Sequence, residues 1–162
     1  MSKRAITILG MSGVGKTTIS AILGEHGWTH YSTDYRIGSH YLEDEILETI
    51  LKKIEKIPFI KEFIDSGTLT FQGRIRIENL YLLSQFLGKI GNPEAGGMAY
   101  KEFRRRQNLY HDAEIKAVQD VGAFIEKTGQ NFIHDSSGSL CELPDKVIAD
   151  LAEITDFVYI EA

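Results

Sequence analysis

GMSGVGKT, at residues 10–17, follows the apolar run AITIL (5–9) and precedes a segment whose apolar residues recur at helical spacing (19–23). The octapeptide satisfies the pattern G-x-x-x-x-G-K-[ST]. A short apolar run without alternation is typical of a strand that is buried on both faces of a parallel sheet. This stretch therefore predicts a buried strand, a glycine-rich loop and a helix in succession, which is how an α/β fold begins.

The residue types of this glycine-rich loop (10–17) suit a phosphate group. Glycines let successive backbone N–H groups point toward phosphate oxygens, the following helix adds its dipole, and Lys16 adds a cation. The pattern assigns nucleotide binding to Gly10, Ser12, Gly13, Val14, Gly15, Lys16, Thr17 and Thr18, and it assigns Mg²⁺ to the Thr17 hydroxyl. A plain glycine-rich turn is the alternative, and the strand before the loop and the helix after it argue against that.

Length and composition limit the class of protein. The chain has 162 residues, of which 43% are hydrophobic, enough for one core. A formal charge of −5 argues against a partner such as nucleic acid, which calls for a basic face. Cys141 is the single cysteine, so no intrachain disulfide can form, and a reducing, cytoplasmic location is expected. No apolar run approaches the roughly 20 residues of a membrane span.

The spacing of apolar residues outlines the rest of the chain. It predicts further strands at 28–32, 131–135 and 156–161, helices over 42–54, 58–65, 76–87, 98–128 and 144–153, a β-like piece TLTF at 68–71 and a glycine-rich connection at 88–97. Strands that alternate with helices predict an α/β domain with a parallel sheet. We expect one domain over 1–162, with a core of 1–34 and 130–162 and a helical insertion over 35–129 between the second and third strands.

Two aspartates follow predicted strands. HYSTD (30–34) places Asp34 after the second strand, and FIHDSSG (132–138) places Asp135 at the end of the third. Side chains at the carboxyl ends of parallel strands beside a phosphate loop line the ligand site, so both are predicted site residues. Asp135 suits Mg²⁺, through water, or a catalytic base. The alternatives are a helix N-cap for Asp34 and a turn cap for Asp135.

Basic residues of the predicted insertion are candidates for contact with a transferred phosphate. Arg104, Arg105 and Arg106 open the long predicted helix, and Arg106 falls on its inward apolar stripe. Phosphoryl transfer needs positive charge near the transferred group, so Arg105 and Arg106 are predicted catalytic residues. Arg74 and Arg76 are second candidates. A solvated basic helix start is the alternative for each arginine.

The glycine-rich loop resembles that of the P-loop kinases, and SGVGKT (12–17) is similar to the loops of shikimate kinases and guanylate kinase. Shikimate kinase-like proteins carry F-x-D-x-D after the second strand, to which HYSTD is similar, with Ser32 in the first acidic place and Asp34 in the second. This resemblance implies that Asp34 faces the γ-phosphate and binds or orients the acceptor. The missing first carboxylate argues against a shikimate-like acceptor.

Most of the chain also resembles an uncharacterised group of bacterial P-loop ATPases, through YRIGSHYL (35–42), FRRRQ (103–107) and FIHDSSGSLCEL (132–143). That resemblance implies ATP rather than GTP and a kinase-like P-loop NTPase sheet of order 2-3-1-4. It also implies a longer protein, because P-loop kinases continue past the fourth strand into an arginine-bearing lid, a helix and a fifth strand.

These observations together favour an enzyme that moves the γ-phosphoryl group of MgATP to a small acceptor. The acceptor would lie between Asp34 and the helical insertion, and the expected catalytic residues are Lys16, Asp34, Asp135, Arg105 and Arg106. An ATPase that couples hydrolysis to a conformational change is the alternative enzyme, and a nucleotide-sensing module without turnover is the non-enzymatic alternative. A closed acceptor pocket would favour the phosphotransferase.

Overall fold

The computed structural model describes residues 4–70 and 81–161, and within these ranges strands and helices follow one another along the chain. In chain order the elements are β1 (Ala5–Leu9), α1 (Lys16–Glu25), β2 (Thr29–Ser32), α2 (Thr33–Arg36), a π-helical turn (Ile37–Tyr41), α3 (Glu43–Ile54), α4 (Pro58–Asp65), α5 (Tyr81–Leu87), a 3₁₀ turn (Pro93–Ala95), α6 (Tyr100–Gln119), α7 (Val121–Thr128), β3 (Phe132–Asp135), a second 3₁₀ turn (Leu140–Glu142), α8 (Asp145–Ile154) and β4 (Asp156–Tyr159). None of the helices in the described part of the chain is long and apolar enough to cross a membrane.

In the described ranges the strands form one all-parallel, four-stranded sheet of order β2-β3-β1-β4. Ile8 of β1 and Ser32 of β2 both lie opposite Asp135 of β3. The carboxyl ends of these three strands therefore meet at the same edge of the sheet. An α/β fold with a parallel sheet flanked by helices is confirmed.

Helices cover both faces of the sheet. On one face α1 contacts β2 and β3. Among the described residues, the other face carries a core of eight buried side chains: Tyr31, Val118, Val121, Phe132, Leu140, Leu143, Val147 and Leu151. Tyr31 anchors this core, because its hydroxyl donates to the Ala117 carbonyl at 2.5 Å while its ring packs on Phe124 with centroids 4.9 Å apart. β3 is buried at all four positions, which matches the apolar run that predicted it, whereas β4 is exposed at all four.

The chain divides into two compact units. The sheet unit comprises residues up to Arg36 and from His111 onward, and it contains every described strand. The helical unit comprises Ile37–Tyr110, of which 71–80 lie outside the described residues. In the described part of this unit the buried apolar side chains are Ile37, Leu42, Ile46, Leu83 and Phe86. The assignment of all residues to one domain with an insertion over 35–129 stays a prediction.

Two predictions need correction. The prediction of a single helix over 98–128 is wrong, since α6 ends at Gln119 and α7 begins at Val121. The break falls at Asp120, a poor helix former whose carboxylate instead binds the Arg36 guanidinium, at 2.9 Å from both Nε and Nη2. The described part of TLTF, 68–70, is not a strand. Phe71 and residues 76–80 of the predicted helix over 76–87 lie outside the described residues.

Candidate functional site

The connection from β1 to α1 depends on glycine for two different reasons. Gly13 and Gly15 have φ of 88° and 97°, in the left-handed region that other residues avoid, and no described atom would contact a Cβ at either position. Gly10 has φ of 147°, and a Cβ there would lie 2.6 Å from the carbonyl oxygen of Ile160. Gly10 therefore serves the fold, whereas Gly13 and Gly15 shape a loop that opens onto free space.

The amino end of α1 leaves amide donors unused. Among the described residues the first backbone bond of this helix runs from the Ile19 N–H to the Gly15 carbonyl, at 3.0 Å. The N–H groups of Lys16, Thr17 and Thr18 have no described backbone acceptor, and no described side chain caps the helix. Unsatisfied N–H groups together with the helix dipole favour an anion at this position.

Lys16 lies back across the same loop. Its ammonium donates to the carbonyl oxygens of Gly10 at 2.7 Å and of Met11 at 3.0 Å, and the residue is only 8% exposed. An ammonium group has three donors, so these two bonds leave one donor for a ligand. The loop carbonyls therefore hold a cation in place beside the unused amides.

A cavity of about 270 Å³ in the sheet unit brings the loop together with both predicted aspartates. Its lining consists of Ser12, Gly13, Gly15, Lys16, Thr17, Thr18, Asp34, Asp135, Ser136 and Gly138. Gly10 and Val14, which the pattern also assigned to nucleotide binding, are not part of this lining.

Asp34 enters the cavity from the first turn of α2. The Tyr35 N–H donates to the hydroxyl oxygen of Ser32 at 3.3 Å, so Ser32 occupies the capping position of this short helix. The N-cap of this helix, which was the alternative role predicted for Asp34, is therefore Ser32. The Asp34 carboxylate lies where it can meet a ligand.

Asp135 ends β3 with its carboxylate almost fully buried. Its Oδ2 lies 3.6 Å from Nε2 of His30, a buried nitrogen that has no hydrogen-bond partner among the described residues. Together with Asp34 and Lys16 it gives the cavity two carboxylates and one ammonium. That excess of negative charge suits a divalent cation, for which oxygen ligands such as carboxylate and hydroxyl are preferred.

A hydrogen-bonded chain behind the cavity fixes the tautomer of His134. The Thr155 hydroxyl donates to the Leu151 carbonyl, so the Thr7 hydroxyl must donate to Thr155, at 2.8 Å. With its proton used in this way, the Thr7 hydroxyl oxygen must accept from Nδ1 of His134, which lies 3.0 Å away. The ring proton is therefore on Nδ1. Nε2 of His134 consequently accepts from the Thr33 hydroxyl at 2.6 Å. Burial lowers the pKa of His134 to about 4, which keeps the ring neutral at physiological pH.

These hydrogen bonds join the two residues that directly precede the aspartates. Thr33 comes before Asp34 and His134 before Asp135, and both are fully buried. The bond between Thr33 and His134 therefore ties the end of β2 to the end of β3. No local sequence pattern indicates this link, because it joins residues 101 positions apart.

Glu114 is a further buried polar group that sequence reasoning missed. It lies on α6, is 1% exposed, and accepts hydrogen bonds from the hydroxyls of Ser137 and Ser139. Burial raises the pKa of its carboxyl, the hydroxyl bonds oppose that effect, and the Asp34 charge adds to it. The helical period places position 114 beside the inward residues Ala113 and Ala117, and a glutamate at such a position was the available signal.

The predicted arginines lie in the helical unit. Arg105 binds Glu102 and Glu45, while Arg106 donates to Glu102 at 2.7 Å and to the Phe86 carbonyl at 2.5 Å. Hydrogen bonds from both arginines lower the pKa of Glu102 to about 2. Both also line a cavity of about 400 Å³ with Glu45, Glu48, Thr49, Lys52, Lys53, Lys56 and Glu102.

The role predicted for Arg105 and Arg106 in phosphoryl transfer stays a prediction, and Arg74 and Arg76 lie outside the described residues. The likeness to P-loop kinases and P-loop ATPases also stays a prediction. Comparison of the chain with protein-family models, curated proteins and solved structures found no match.

Proposed function

We propose that the sheet unit binds MgATP and that the protein transfers the γ-phosphoryl group to a small acceptor. The observation that carries this proposal is the cavity of about 270 Å³ in which the glycine-rich loop, Lys16 and two aspartates meet. Its volume is at the small end for a ligand pocket, which suits phosphate groups and a hydrated metal ion better than a whole nucleotide. The adenosine portion of the ligand would therefore lie outside this cavity.

The phosphate chain has a set of donors that matches its charge. The N–H groups of Lys16, Thr17 and Thr18 lack backbone acceptors within the described ranges and would donate to phosphate oxygens. The remaining donor of the Lys16 ammonium would do the same. Loop, helix end and lysine thus supply positive potential in a protein whose formal charge is −5.

Mg²⁺ would be held by the Thr17 hydroxyl and, through water, by the Asp135 carboxylate, which both line the cavity. In the described part of the chain, no three His, Cys, Asp or Glu side chains gather to hold a metal ion by themselves. Water and phosphate oxygens would therefore complete the coordination, as is common for Mg²⁺ at phosphate sites.

The two carboxylates divide the remaining tasks. When bound, Mg²⁺ supplies charge that neutralises the phosphate oxygens in the transition state. Asp34 accepts a hydrogen bond from the acceptor hydroxyl and orients it. As the acceptor oxygen bonds to the γ-phosphorus, the bond from that phosphorus to the leaving oxygen of ADP breaks, and the hydroxyl proton passes to the Asp34 carboxylate. Lys16 stays against the phosphates and offsets their negative charge.

A turnover assay tests this proposal. The protein is incubated with Mg²⁺, ATP labelled at the γ-phosphate and a small-molecule cell extract, and the products are separated. We expect label in an organic product. We expect Lys16→Ala and Asp34→Asn to lower its rate about 100-fold or more, the usual cost of losing one preorganised charge contact.

Lys146→Ala is the matched control, because Lys146 is an exposed lysine of α8 whose ion pair with Asp150 spans 3.8 Å. It should turn over like the natural sequence. Release of inorganic phosphate alone would replace the phosphotransferase by an ATPase with water as acceptor. Bound but unreacted ATP would reduce the proposal to a nucleotide-binding module.

A further inference from the structure

The segment 136–139, which follows β3, contributes to the wall of the cavity. Ser136 and Gly138 line the cavity. A Cβ at Gly138 would lie 3.9 Å from both Cβ and N of Ser12, so this segment packs directly against the loop. The Ser136 hydroxyl donates to the Ile8 carbonyl at 2.7 Å, which ties the first residue of the segment to the end of β1.

The other end of the segment is held by Glu114. Its Oε1 accepts from the hydroxyl of Ser137, and its two oxygens accept from the hydroxyl of Ser139 at 2.8 and 3.0 Å. Ser137 and Ser139 flank Gly138, so one carboxylate fixes the residues on both sides of it. Glu114 itself does not line the cavity.

A buried glutamate is costly for the fold. Removing a carboxylate from water is unfavourable unless hydrogen bonds or opposite charge offset the cost, and an apolar residue of similar size often packs at least as well. Burial indeed raises the pKa of the Glu114 carboxyl, and the nearby Asp34 charge works in the same direction. A glutamate at such a position points to a task other than stability.

We propose that Glu114 is a positioning residue of the candidate site: through Ser137 and Ser139 it holds the segment 136–139 against the glycine-rich loop and so shapes the phosphate cavity. This inference rests on the proposed function, because the cavity it shapes is the one assigned to MgATP. Loss of the carboxylate frees the wall, and the affinity for the phosphate chain falls while the fold persists.

A double-mutant cycle on MgATP binding tests the inference. Dissociation constants are measured by calorimetry for the natural sequence, Glu114→Gln, the Ser137→Ala/Ser139→Ala variant and the combination of all three changes. We expect Glu114→Gln and the serine variant each to weaken binding about tenfold, and the combination to be no weaker than either, since residues of one network are not additive. Glu126→Gln, an exposed carboxylate of α7, should bind as the natural sequence does.

The unfolding midpoint of each variant without ligand is recorded in parallel. A change in stability with unchanged affinity would make Glu114 a structural residue only, and additive losses of affinity would show that it acts apart from the serines; either result overturns the inference. If Glu114→Gln does not fold, the serine variant decides alone, since it keeps the carboxylate and loses the contact. Failure of the natural sequence to bind MgATP would remove the proposed function and this inference together, which distinguishes it from failure of the variants alone.

Discussion

His134 has a defined proton position because each hydroxyl around it already has its own acceptor or donor. Thr155 directs its proton to Leu151, and the order of donors then runs from Thr33 through His134 and Thr7 to Thr155. A second proton on the ring would have to face the Thr33 hydroxyl, which is already a donor in this chain. Burial and the hydrogen bonds therefore both favour the neutral ring.

The low pKa of His134 makes stability depend on pH. An unfolded chain protonates histidine near pH 6.5, whereas the folded protein does so near pH 4. The contribution of this residue is thus complete above about pH 6.5 and is lost as the pH falls toward 4. Between pH 7.5 and 5 the loss is about 2 kcal/mol.

We expect His134→Gln to be less stable than the natural sequence at pH 7.5, because Thr33 loses its acceptor. That deficit should shrink by about 2 kcal/mol at pH 5, since glutamine does not titrate. Urea unfolding of both proteins at the two pH values measures this change in the deficit. A deficit that is the same at both pH values would mean that the pKa of His134 is not lowered by folding.

Residues of the candidate site differ in how far the sequence could predict them. Lys16, Asp34 and Asp135 stand at fixed distances from the glycine pattern or from apolar runs, so spacing was enough to select them. Glu114 and Ser139 meet through tertiary contact across a loop and a strand, and a polar residue near an inward stripe is easily taken as a surface residue. Their pairing requires the relative position of α6 and the segment after β3.

At the scale of elements, strands and well-separated helices follow their apolar periods. α4 (Pro58–Asp65) coincides with the predicted 58–65, and β3 (Phe132–Asp135) differs from 131–135 by one residue. α2 and the π-helical turn after it were not predicted, because elements of four and five residues are too short to show an apolar period. The break between α6 and α7 falls at Asp120, which contacts Arg36, and the periodic apolar pattern runs through it without interruption.

The loop between β1 and α1 should respond to alanine at Gly10 more than at Gly13. Both positions have positive φ, and only Gly10 also faces backbone at 2.6 Å, which cannot move aside without shifting Ile160. We expect Gly10→Ala to lower the free energy of unfolding by about 3 kcal/mol and Gly13→Ala by about 1 kcal/mol. Chemical unfolding of both variants at one pH gives the comparison.

Gly122→Ala in α7 is the control, because its Cβ would make an ordinary contact of 3.5 Å with Ile154 and alanine favours a helix. We expect this substitution to raise the free energy of unfolding by about 0.5 kcal/mol. Equal losses at Gly10 and Gly13 would mean that conformation alone, and not the approach of Ile160, requires glycine at position 10.

At the scale of the whole molecule, strand order assembles the candidate site. β1, β3 and β2 are neighbours and run parallel, so the chain segments that leave them all emerge at one edge. The glycine-rich loop, Asp34 and Asp135 are each local features, and the register of Ile8 and Ser32 with Asp135 brings them into one cavity. A parallel α/β sheet characteristically binds ligands at this edge.

Apolar runs predicted the parallel sheet, but the catalytic role predicted for the arginines depended on a weaker pattern, the position of Arg106 on an inward stripe. Arg106 does point inward, as its helical position predicted, and the anion it meets is Glu102. An inward arginine needs a negative partner, and periodicity cannot distinguish a carboxylate of its own helix from a bound phosphate. The loop pattern is more informative because glycine conformation, lysine and helix end all serve one ligand.

MgATP binding tests the central claim most directly. Unfolding midpoints are measured with and without MgATP at about 100 times the dissociation constant, where binding adds about 2.7 kcal/mol. For a domain of this size we expect a rise of about 5–10 °C. Lys146→Ala should show the same rise, and Lys16→Ala should show none, because it lacks the ammonium held by Gly10 and Met11. No rise in the natural sequence, or an equal rise in Lys16→Ala, would contradict a phosphate site at this loop.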